Sequence, residues 1–446
     1  MLVSQGRTSV SAELKTLFHK TTMPVLSSRI AGFHQLTPSE RLQKVADLCE
    51  LDAQQVESLS QYGNLPENLA SHMVENVAGA MTLPLGIATN MIIDGEEVLI
   101  PMVTEESSVI AAVCNAAKQC RSTGGFITST SGSEMIAQIQ LLEVSDPEQA
   151  RLKILEQKDA IQALCDEVDP VLLKHGGGFR DLEVRLLSTP SGPMVVTHLI
   201  VDTRDAMGAN AVNSMAEQLA PEIARWTGGR VNLRILSNLA DRRLARARAV
   251  WTCDEIGGPD VRDGILSASQ FAQADPYRAT THNKGIMNGV TAVVLATGND
   301  TRAVEAGAHA YAARSGQYRG LSYWERTAEG DLAGMLELPL AVGLIGGATK
   351  LHPTAQTSLK ILGVQNASAL ARCIAAVGLA QNFAALKALA TTGIQKGHMA
   401  LHAQNIAMMA GAQGDEIETV AQRLVEESQV RLDVAETVLA EVRGKR

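Results

Sequence analysis

The strongest constraint on the fold is the order in which two periodicities follow one another between residues 134 and 237. Polar and apolar residues alternate, or apolar residues predominate, in four strand-like stretches: 137–142, 182–188, 194–202 and 230–237. Helical spacing of apolar residues marks two longer stretches between them, 147–164 and 208–226. The turn residues "TPSGP" join the middle two strands as a hairpin. The predicted order is therefore βαββαβ.

This order is the split βαβ arrangement of ferredoxin-like domains. The sequence on either side is more helical and rich in glycine, so the ferredoxin-like unit is predicted to be an insert. The expected fold class is α+β. A large helix-rich domain comprises residues 1–132 and 239–392, the inserted domain comprises residues 133–238, and a C-terminal helical unit comprises residues 393–446.

Two capping boxes indicate where helices begin outside the insert. Thr37, Pro38 and Glu40 have the spacing of an N-cap, a first helical residue and a capping-box glutamate. Asp415 and Glu418 predict a second such start, followed by one long amphipathic helix.

Composition narrows the class of protein. The 446 residues are 46% hydrophobic, which allows a large buried core, and the net charge of −9 disfavours binding to nucleic acid or to an anionic membrane. The six cysteines form no C-x-x-C pair, which favours reduced thiols in a cytoplasm. No signal peptide is expected. No segment is predicted to cross a bilayer, since the most apolar one, residues 338–348, is about half as long as a bilayer requires.

The common cofactor motifs are missing from the sequence. It contains no G-x-G-x-x-G, no P-loop, no G-x-S-x-G and no H-E-x-x-H. These absences disfavour a standard dinucleotide fold, a nucleoside triphosphatase, a serine hydrolase and a zinc protease.

Two histidines four residues apart, His398 and His402, lie in a segment with helical character. The spacing permits a metal site, but no acidic partner is nearby, so packing or capping is favoured and acid/base chemistry stays open. Gly397 indicates a junction between a loop and a helix at this point.

Several polar segments could bind anions or place carboxylates. Glu105 and Glu106 follow a strand-like run, and a helix cap is the favoured interpretation. "DPYRATTHNKGIMNG" is interpreted as a donor-rich connection between helices and a candidate anion site. Asp300 follows an apolar run at a helix start, where it could cap the helix or pair with a lysine.

Two further segments could contact a phosphate group. In "VDTRDAMGANAVN", Gly208 would let a phosphate approach the start of a helix. "DRRLARARAV" carries four arginines and is predicted to be a solvated helical face, with a single phosphate contact as the alternative.

Long motifs in a fixed order resemble those of the 3-hydroxy-3-methylglutaryl-coenzyme A (HMG-CoA) reductase family, in its soluble class II form. The resemblance extends from about residue 30 to near the C-terminus. The matching segments are "ENVAG" (75–79), "PMVTEES" (101–107), "DAMGANAVN" (205–213), "RILSNLAD" (234–241), "DPYRATTHNKGIMNG" (275–289), "TGNDTRAVEAGAHAYA" (297–312), "GLIGGATKLHP" (343–353) and "GIQKGHMALHAQNIA" (393–407).

The resemblance implies four catalytic residues. Lys284 would stabilise negative charge on the reacting oxygen, and Asp300 would hold that lysine in place. His398, on a mobile C-terminal flap, would protonate the coenzyme A thiolate. Glu106, if burial favours its protonated form, would deliver a proton to mevaldehyde.

The resemblance also implies how substrates and partners bind. It assigns substrate contacts to Ser108, Asn238, Arg278, Asn288, Asn382 and His402. It assigns the nicotinamide cofactor to the inserted domain, at Asp169, Asp205, Met207, Gly208, Asn210 and Asn213. The carboxylate of Asp169 favours NAD over NADP, because it accepts from a ribose hydroxyl and repels a 2′-phosphate. The resemblance further implies an enzyme without a metal and at least a homodimer with active sites at the subunit interface.

The expected reaction is the interconversion of HMG-CoA and mevalonate. A reductase of another acyl-CoA thioester would share the chemistry, and a non-catalytic coenzyme A or nucleotide-binding protein would share the fold. The second alternative is disfavoured because all four charged catalytic positions are present.

Overall fold

The structure is a computed structural model that describes residues 27–61, 63, 65–391 and 393–444, except the side chains of residues 394–401. In chain order the helices and strands are Pro38–Cys49 (α1), Ala53–Ser60 (α2), Glu67–Met73 (α3), Leu85–Ile93 (β1), Glu96–Val103 (β2), Val109–Gln119 (α4), Phe126–Thr130 (β3), Glu134–Leu142 (β4), Pro147–Leu155 (α5), Lys158–Val168 (α6), Pro170–Lys174 (α7), Gly178–Thr189 (β5), Gly192–Asp202 (β6), Ala209–Thr227 (α8), Arg230–Ser237 (β7), Leu244–Trp251 (β8), Cys253–Ile256 (α9), Pro259–Ala274 (α10), Pro276–Ala296 (α11), Thr301–Ala312 (α12), Ser322–Arg326 (β9), Leu332–Pro339 (β10), Gly347–Leu351 (α13), Pro353–Leu362 (α14), Ala367–Ala390 (α15), Ile394–Met409 (α16), Asp415–Glu426 (α17) and Leu432–Gly444 (α18).

The smaller of the two sheets formed by the described residues is four-stranded and antiparallel, in the order β5-β6-β4-β7. This is the strand order of a ferredoxin-like domain, so the predicted βαββαβ arrangement is confirmed. The first helical run is divided into α5, α6 and the short α7. The helices pack on one face of the sheet, where alternate strand residues such as Ile139 and Leu199 are fully buried.

The larger sheet has the order β2-β1-β3-β8-β10-β9, antiparallel except where β1 pairs with β3. Its core side chains pack against α15, and Trp251 of β8 stacks on Phe383 at 4.3 Å between ring centroids. The α+β fold class is confirmed. The domain boundaries stay a proposal, supported by the separate buried clusters of the two sheets and of the last three helices.

One helix contradicts the expectation that no segment has the length and composition to cross a bilayer. Ala367–Ala390 (α15) is long and apolar enough to do so, and 67% of its most apolar stretch is buried inside the protein. The apolar character of α15 is explained by its packing, because it lies in the core of the large domain.

Two segments predicted as other structures are corrected. Residues 244–251 form the strand β8 and not a solvated helical face, because Ala245, Ala247 and Ala249 alternate inward at 0–3% exposure while arginines point outward. Residues 276–289 lie inside α11 and are not a connection. Asp275 caps that helix by accepting from the Arg278 amide at 2.8 Å.

Of the two predicted capping boxes, the one near the N-terminus is confirmed and the one near the C-terminus is wrong. Thr37 and Glu40 form the predicted capping box. The predicted long C-terminal helix is two helices, α17 and α18, with Ser428 at a positive φ of 54° between them. No Asp415–Glu418 box is present, since the N-cap of α17 is Gly414 without a side-chain cap.

Candidate active site

Three polar side chains meet where the β2–α4 connection faces α11. A carboxylate oxygen of Glu106 accepts from Lys284 Nζ at 2.9 Å and from Asn288 Nδ2 at 3.3 Å. Lys284 and Asn288 are one helical turn apart on α11, so they present their polar groups to the same point. The Lys284 side chain is 61% exposed and that of Glu106 is 36% exposed. The pair is thus open to a ligand. The proton-donor role of Glu106 is conditional on burial, and its side chain is only partly buried.

Local structure holds the β2–α4 connection in place. The Glu106 amide donates to Thr104 Oγ1 at 3.1 Å. Ser108 adopts a positive φ of 68° as the N-cap of α4, and its hydroxyl donates to the Ser107 carbonyl at 2.6 Å instead of capping the helix. The bend directs Glu106 toward α11.

Within the described residues, no hydrogen bond or ion pair joins Asp300 to Lys284, so the expected pairing stays a prediction. The Asp300 carboxylate caps α12 by accepting from the Arg302 and Ala303 amides at 2.9 and 3.1 Å, and it pairs with the Arg302 guanidinium at 3.2 Å. Burial opposes ionisation, but these donors outweigh it and lower the pKa of Asp300. The carboxylate therefore faces its own helix.

Arg278 and Asn382 differ in accessibility. Arg278 is half-buried on α11, burial lowers its pKa, and within the described residues its guanidinium has no hydrogen bond or ion pair. Asn382 is 1% exposed on α15, and its amide is occupied by Ser322, Trp324 and His282. The structure leaves Arg278 available for an anion and places Asn382 in the core.

The predicted cofactor segment lies at the start of α8. Gly208 is its N-cap at a φ of 99°, and a Cβ there would lie 2.4 Å from Thr203 Cγ2. No side chain caps the helix, so its first amides are free of a capping group. Only glycine fits this turn, which leaves an uncapped helix start suited to a phosphate.

The other cofactor candidates differ in their contacts and exposure. Asp205 Oδ1 accepts from the Ala367 amide and Asn213 Oδ1 from the Leu236 amide, both at 2.8 Å. Met207 is half-buried and Asn210 is exposed. Asp169 caps α7 through one oxygen, which accepts from the Leu172 amide at 2.8 Å.

The cofactor segment packs on Gly343, which in turn bonds the residue before Asp300. A Cβ at Gly343 would lie 2.5 Å from the Met207 nitrogen, so the two backbones touch there. The Gly343 amide donates to Asn299 Oδ1 at 2.8 Å, and Asn299 is the residue before Asp300. Sequence reasoning missed Asn299, whose role depends on this contact between distant segments.

The remaining candidates lie elsewhere. Asn238 is exposed between β7 and β8. His398 and His402 are both on α16, which begins at Ile394, so Gly397 is inside a helix and not at its junction. His402 is exposed, and the side chain of His398 lies outside the described residues. Within the described part of the chain, no group of three metal-ligating side chains comes together.

A separate apolar cavity of about 1310 Å³ opens between α1, β1 and α4. Asn299 lines one edge of it, but Glu106, Lys284 and Asp300 do not. The charged cluster, and not this cavity, contains Glu106 and Lys284.

Sequence comparisons identify the family. The family model described as hydroxymethylglutaryl-coenzyme A reductase matches residues 37–403. A 3-hydroxy-3-methylglutaryl-coenzyme A reductase from Archaeoglobus fulgidus is 55% identical over 419 residues, covering 94% of this chain and 96% of the relative. A probable reductase of the same name from Borreliella burgdorferi is 38% identical, covering 77% and 80%.

Solved structures agree with the sequence matches. A Streptococcus pneumoniae HMG-CoA reductase superposes with a TM-score of 0.79 at 39% identity, covering 92% of this chain and 99% of that one. A structure of the class II reductase of that organism bound to NADPH in open conformations superposes with a TM-score of 0.78 at 40% identity, covering 92% and 100%. The resemblance expected from the motifs is confirmed, and the chain belongs to the hydroxymethylglutaryl-coenzyme A reductase family.

Proposed function

We propose that this chain reduces HMG-CoA to mevalonate and coenzyme A with two equivalents of a reduced nicotinamide cofactor and two protons. The reaction converts a thioester to a primary alcohol, so negative charge develops on the same oxygen in both reductions. The family supports the assignment. The observation that carries it is the Lys284 ammonium 2.9 Å from Glu106, exposed beside Asn288.

In this proposal Lys284 stabilises the developing oxyanion. A fixed ammonium is effective because it needs no reorganisation when charge appears. Glu106 orients the ammonium before substrate binds. Once it has taken up one of the two protons that the reaction consumes, it would pass that proton to the oxygen of mevaldehyde. Asn288 donates to the same Glu106 oxygen and so limits where that carboxylate can move.

The nicotinamide dinucleotide, when bound, supplies the hydride equivalents. Gly208 and the uncapped start of α8 fit a phosphate group, and Asp205, Met207, Asn210 and Asn213 would surround the dinucleotide. We assign the ribose contact to Asp169. One of its oxygens caps α7, and the carboxylate disfavours a 2′-phosphate, which supports NAD over NADP.

Substrate contacts are assigned to Ser108, Asn238, Arg278, Asn288, Asn382 and His402. Arg278 is the residue best supported, because a guanidinium without a protein acceptor is available to a carboxylate. Asn382 requires its present hydrogen bonds to rearrange.

The helices after residue 393 form the proposed flap. They share a buried cluster of their own that includes Val420 and Leu424, so they can move as a unit. Gly393, at a φ of 78°, precedes α16 and is the proposed hinge. His398 would then protonate the departing coenzyme A thiolate, which requires the flap to close over the site.

The exposed Lys284 also supports a homodimer, because a cationic site for thioester reduction must be covered from water. Each site would combine the small domain of one subunit with the catalytic residues of the other. We assign the protein to the cytoplasm, on the pattern of unpaired cysteines and the burial of α15.

Steady-state kinetics with HMG-CoA against NADH and NADPH in parallel test the assignment. We expect oxidation of both cofactors or of NADH alone, with the higher kcat/KM for NADH. A panel of other acyl-CoA thioesters distinguishes a reductase of a different acyl group. Oxidation with none of the thioesters would refute the proposed function, and a higher kcat/KM for NADPH would refute only the role of Asp169.

A further inference from the structure

Arg243 is a buried cation that the chemistry proposed above does not use. It precedes β8 and is 5% exposed. Its guanidinium donates only to uncharged oxygens. Nη1 bonds Thr203 Oγ1 at 2.9 Å and the carbonyls of Ala206 and Met207 at 3.0 and 3.3 Å, and Nη2 bonds the carbonyls of Arg204 and Val342 at 3.3 and 2.6 Å.

These contacts are specific for a guanidinium. Burial lowers the pKa of Arg243 to about 10, so the group stays charged at neutral pH. A buried charge is retained only if its donors find acceptors, and five acceptors from two separate segments surround the Nη1 and Nη2 groups of this one. A methionine has no donor for these carbonyl groups, and a lysine has three donors where arginine has five.

The carbonyl directions determine where the amides of the cofactor segment point. In a planar trans peptide the C=O and the following N–H point in opposite directions. Because the carbonyls of Ala206 and Met207 face Arg243, the amides of Met207 and Gly208 face away from it, at the uncapped start of α8. Amides in that place and direction suit an anionic group.

The Val342 contact connects the same guanidinium to the residues that follow β10. The next residue, Gly343, touches the Met207 backbone and donates to Asn299, which adjoins Asp300. The Leu344 amide donates to the Asp205 carbonyl at 2.8 Å. One side chain thus holds the cofactor segment against residues 342–344.

We propose that Arg243 is a positioning residue for the nicotinamide dinucleotide: it orients the amides of residues 207 and 208 toward a cofactor phosphate and fixes the cofactor segment against residues 342–344. The inference rests on the proposed function, since it takes the ligand of this segment from it. Arg243 itself touches neither cofactor nor substrate.

The test compares Arg243→Met, Arg243→Lys and the matched control Arg248→Met. Arg248 lies on β8, five residues after Arg243, is exposed, and has no hydrogen bond or ion pair within the described residues. For each protein we would measure kcat, the KM values for cofactor and for HMG-CoA, the dissociation constant of the reduced cofactor from nicotinamide fluorescence, and the melting temperature.

We expect Arg243→Met to raise the KM and dissociation constant for the cofactor by roughly 10- to 100-fold, while the KM for HMG-CoA changes by less than about twofold. Arg243→Lys should recover part of the cofactor affinity, and Arg248→Met should match the wild type. If Arg243→Met does not fold, the affinity of Arg243→Lys decides the test.

The inference is overturned if cofactor affinity is unchanged in the folded variants, or if the two KM values rise equally, because a purely structural role lowers the melting temperature without selecting one ligand. A wild-type protein that neither binds nor oxidises a nicotinamide cofactor would instead refute the proposed function.

Discussion

At the scale of single residues, the site depends on one exposed ion pair. Lys284 and Glu106 contribute little to stability, because an exposed pair of this kind is screened by water. Other residues nevertheless hold the pair in position. Asn288 donates to the same carboxylate of Glu106, and the bent connection before α4 directs that carboxylate toward α11. Residues that stabilise neither core nor surface and still converge are expected to act on a ligand.

Substitution of Lys284 by alanine should lower kcat by at least about 100-fold, because the developing oxyanion loses its fixed positive charge. The fold should be retained, since the side chain is 61% exposed. Steady-state rates and circular dichroism check this. Lys44→Ala, at an exposed position of α1, is the control and should keep wild-type rates. A folded Lys284→Ala enzyme with near-normal turnover would remove the assigned role.

At the scale of elements, loops that touch through their backbones connect the two sheets. Gly343 lies against Met207, and Ala206 forms an isolated parallel bridge with Ile345. Hydrogen bonds between backbone groups make these contacts independent of side-chain identity, except where a glycine permits the approach.

Gly343→Ala should separate these loops, since a Cβ would lie 2.5 Å from the Met207 nitrogen and 2.9 Å from the Ala206 carbonyl carbon. We expect the cofactor KM to rise roughly tenfold or more. Gly444→Ala, where a Cβ meets no atom within 4 Å, is the matched control and should have no effect. Unchanged cofactor kinetics in Gly343→Ala would show that the close approach is dispensable.

A second contact between elements makes stability depend on pH. Glu97 of β2 accepts from Arg121 at 2.5 Å and from the Ser28 hydroxyl at 2.6 Å. Burial alone would raise the pKa of Glu97, but these hydrogen bonds outweigh it and lower the pKa from 4.5 to about 2. A carboxyl whose pKa is lower in the folded protein stabilises the fold at pH values above the pKa that it has in the unfolded chain. This contribution disappears as the pH falls from 4.5 to about 2.

Glu97→Gln should therefore lower the melting temperature at pH 7 by roughly 1 to 3 °C. The difference from the wild type should shrink steadily below pH 4.5, as the wild-type carboxylate becomes protonated. Thermal melts across pH 3 to 7 measure both quantities. A difference that stays constant over this range would exclude the ionised carboxylate as its source.

At the scale of the whole molecule, the exposed charged cluster requires a cover. Either the helices after residue 393 or a second subunit can supply it, and the proposed dimer uses both. An interfacial site can be distinguished from a site within one chain by mixing two inactive proteins.

Lys284→Ala lacks the catalytic ammonium, and Gly208→Val closes the helix start to a phosphate. Each should be inactive alone. When they are co-expressed in equal amounts, half of the dimers are mixed and each has one intact interfacial site, so about a quarter of wild-type activity should return. No recovery, with mixed dimers demonstrated by differential tagging, would place each site within a single chain.

Periodicity and capping residues allowed several elements to be predicted from sequence. The strands of the small sheet and the helix that begins after Thr37 were found in this way, because alternation and side-chain caps are local properties. The stretch from Asp275 to Asn288 was misinterpreted, although Asp-Pro is a helix start, because its many polar residues suggested a loop. The alternation of Ala and Arg before Trp251 is typical of a strand, so the prediction of a helix there was wrong.

The sequence by itself determined the family and the ferredoxin-like order, since motifs and local periodicity are written along the chain. Only the tertiary structure decided which charges are neighbours. Lys284 meets Glu106, Asp300 caps its own helix, and Arg243 is enclosed by carbonyl groups from two segments. The reason is physical: electrostatic partners and buried acceptors depend on distances between parts of the chain that are remote in sequence.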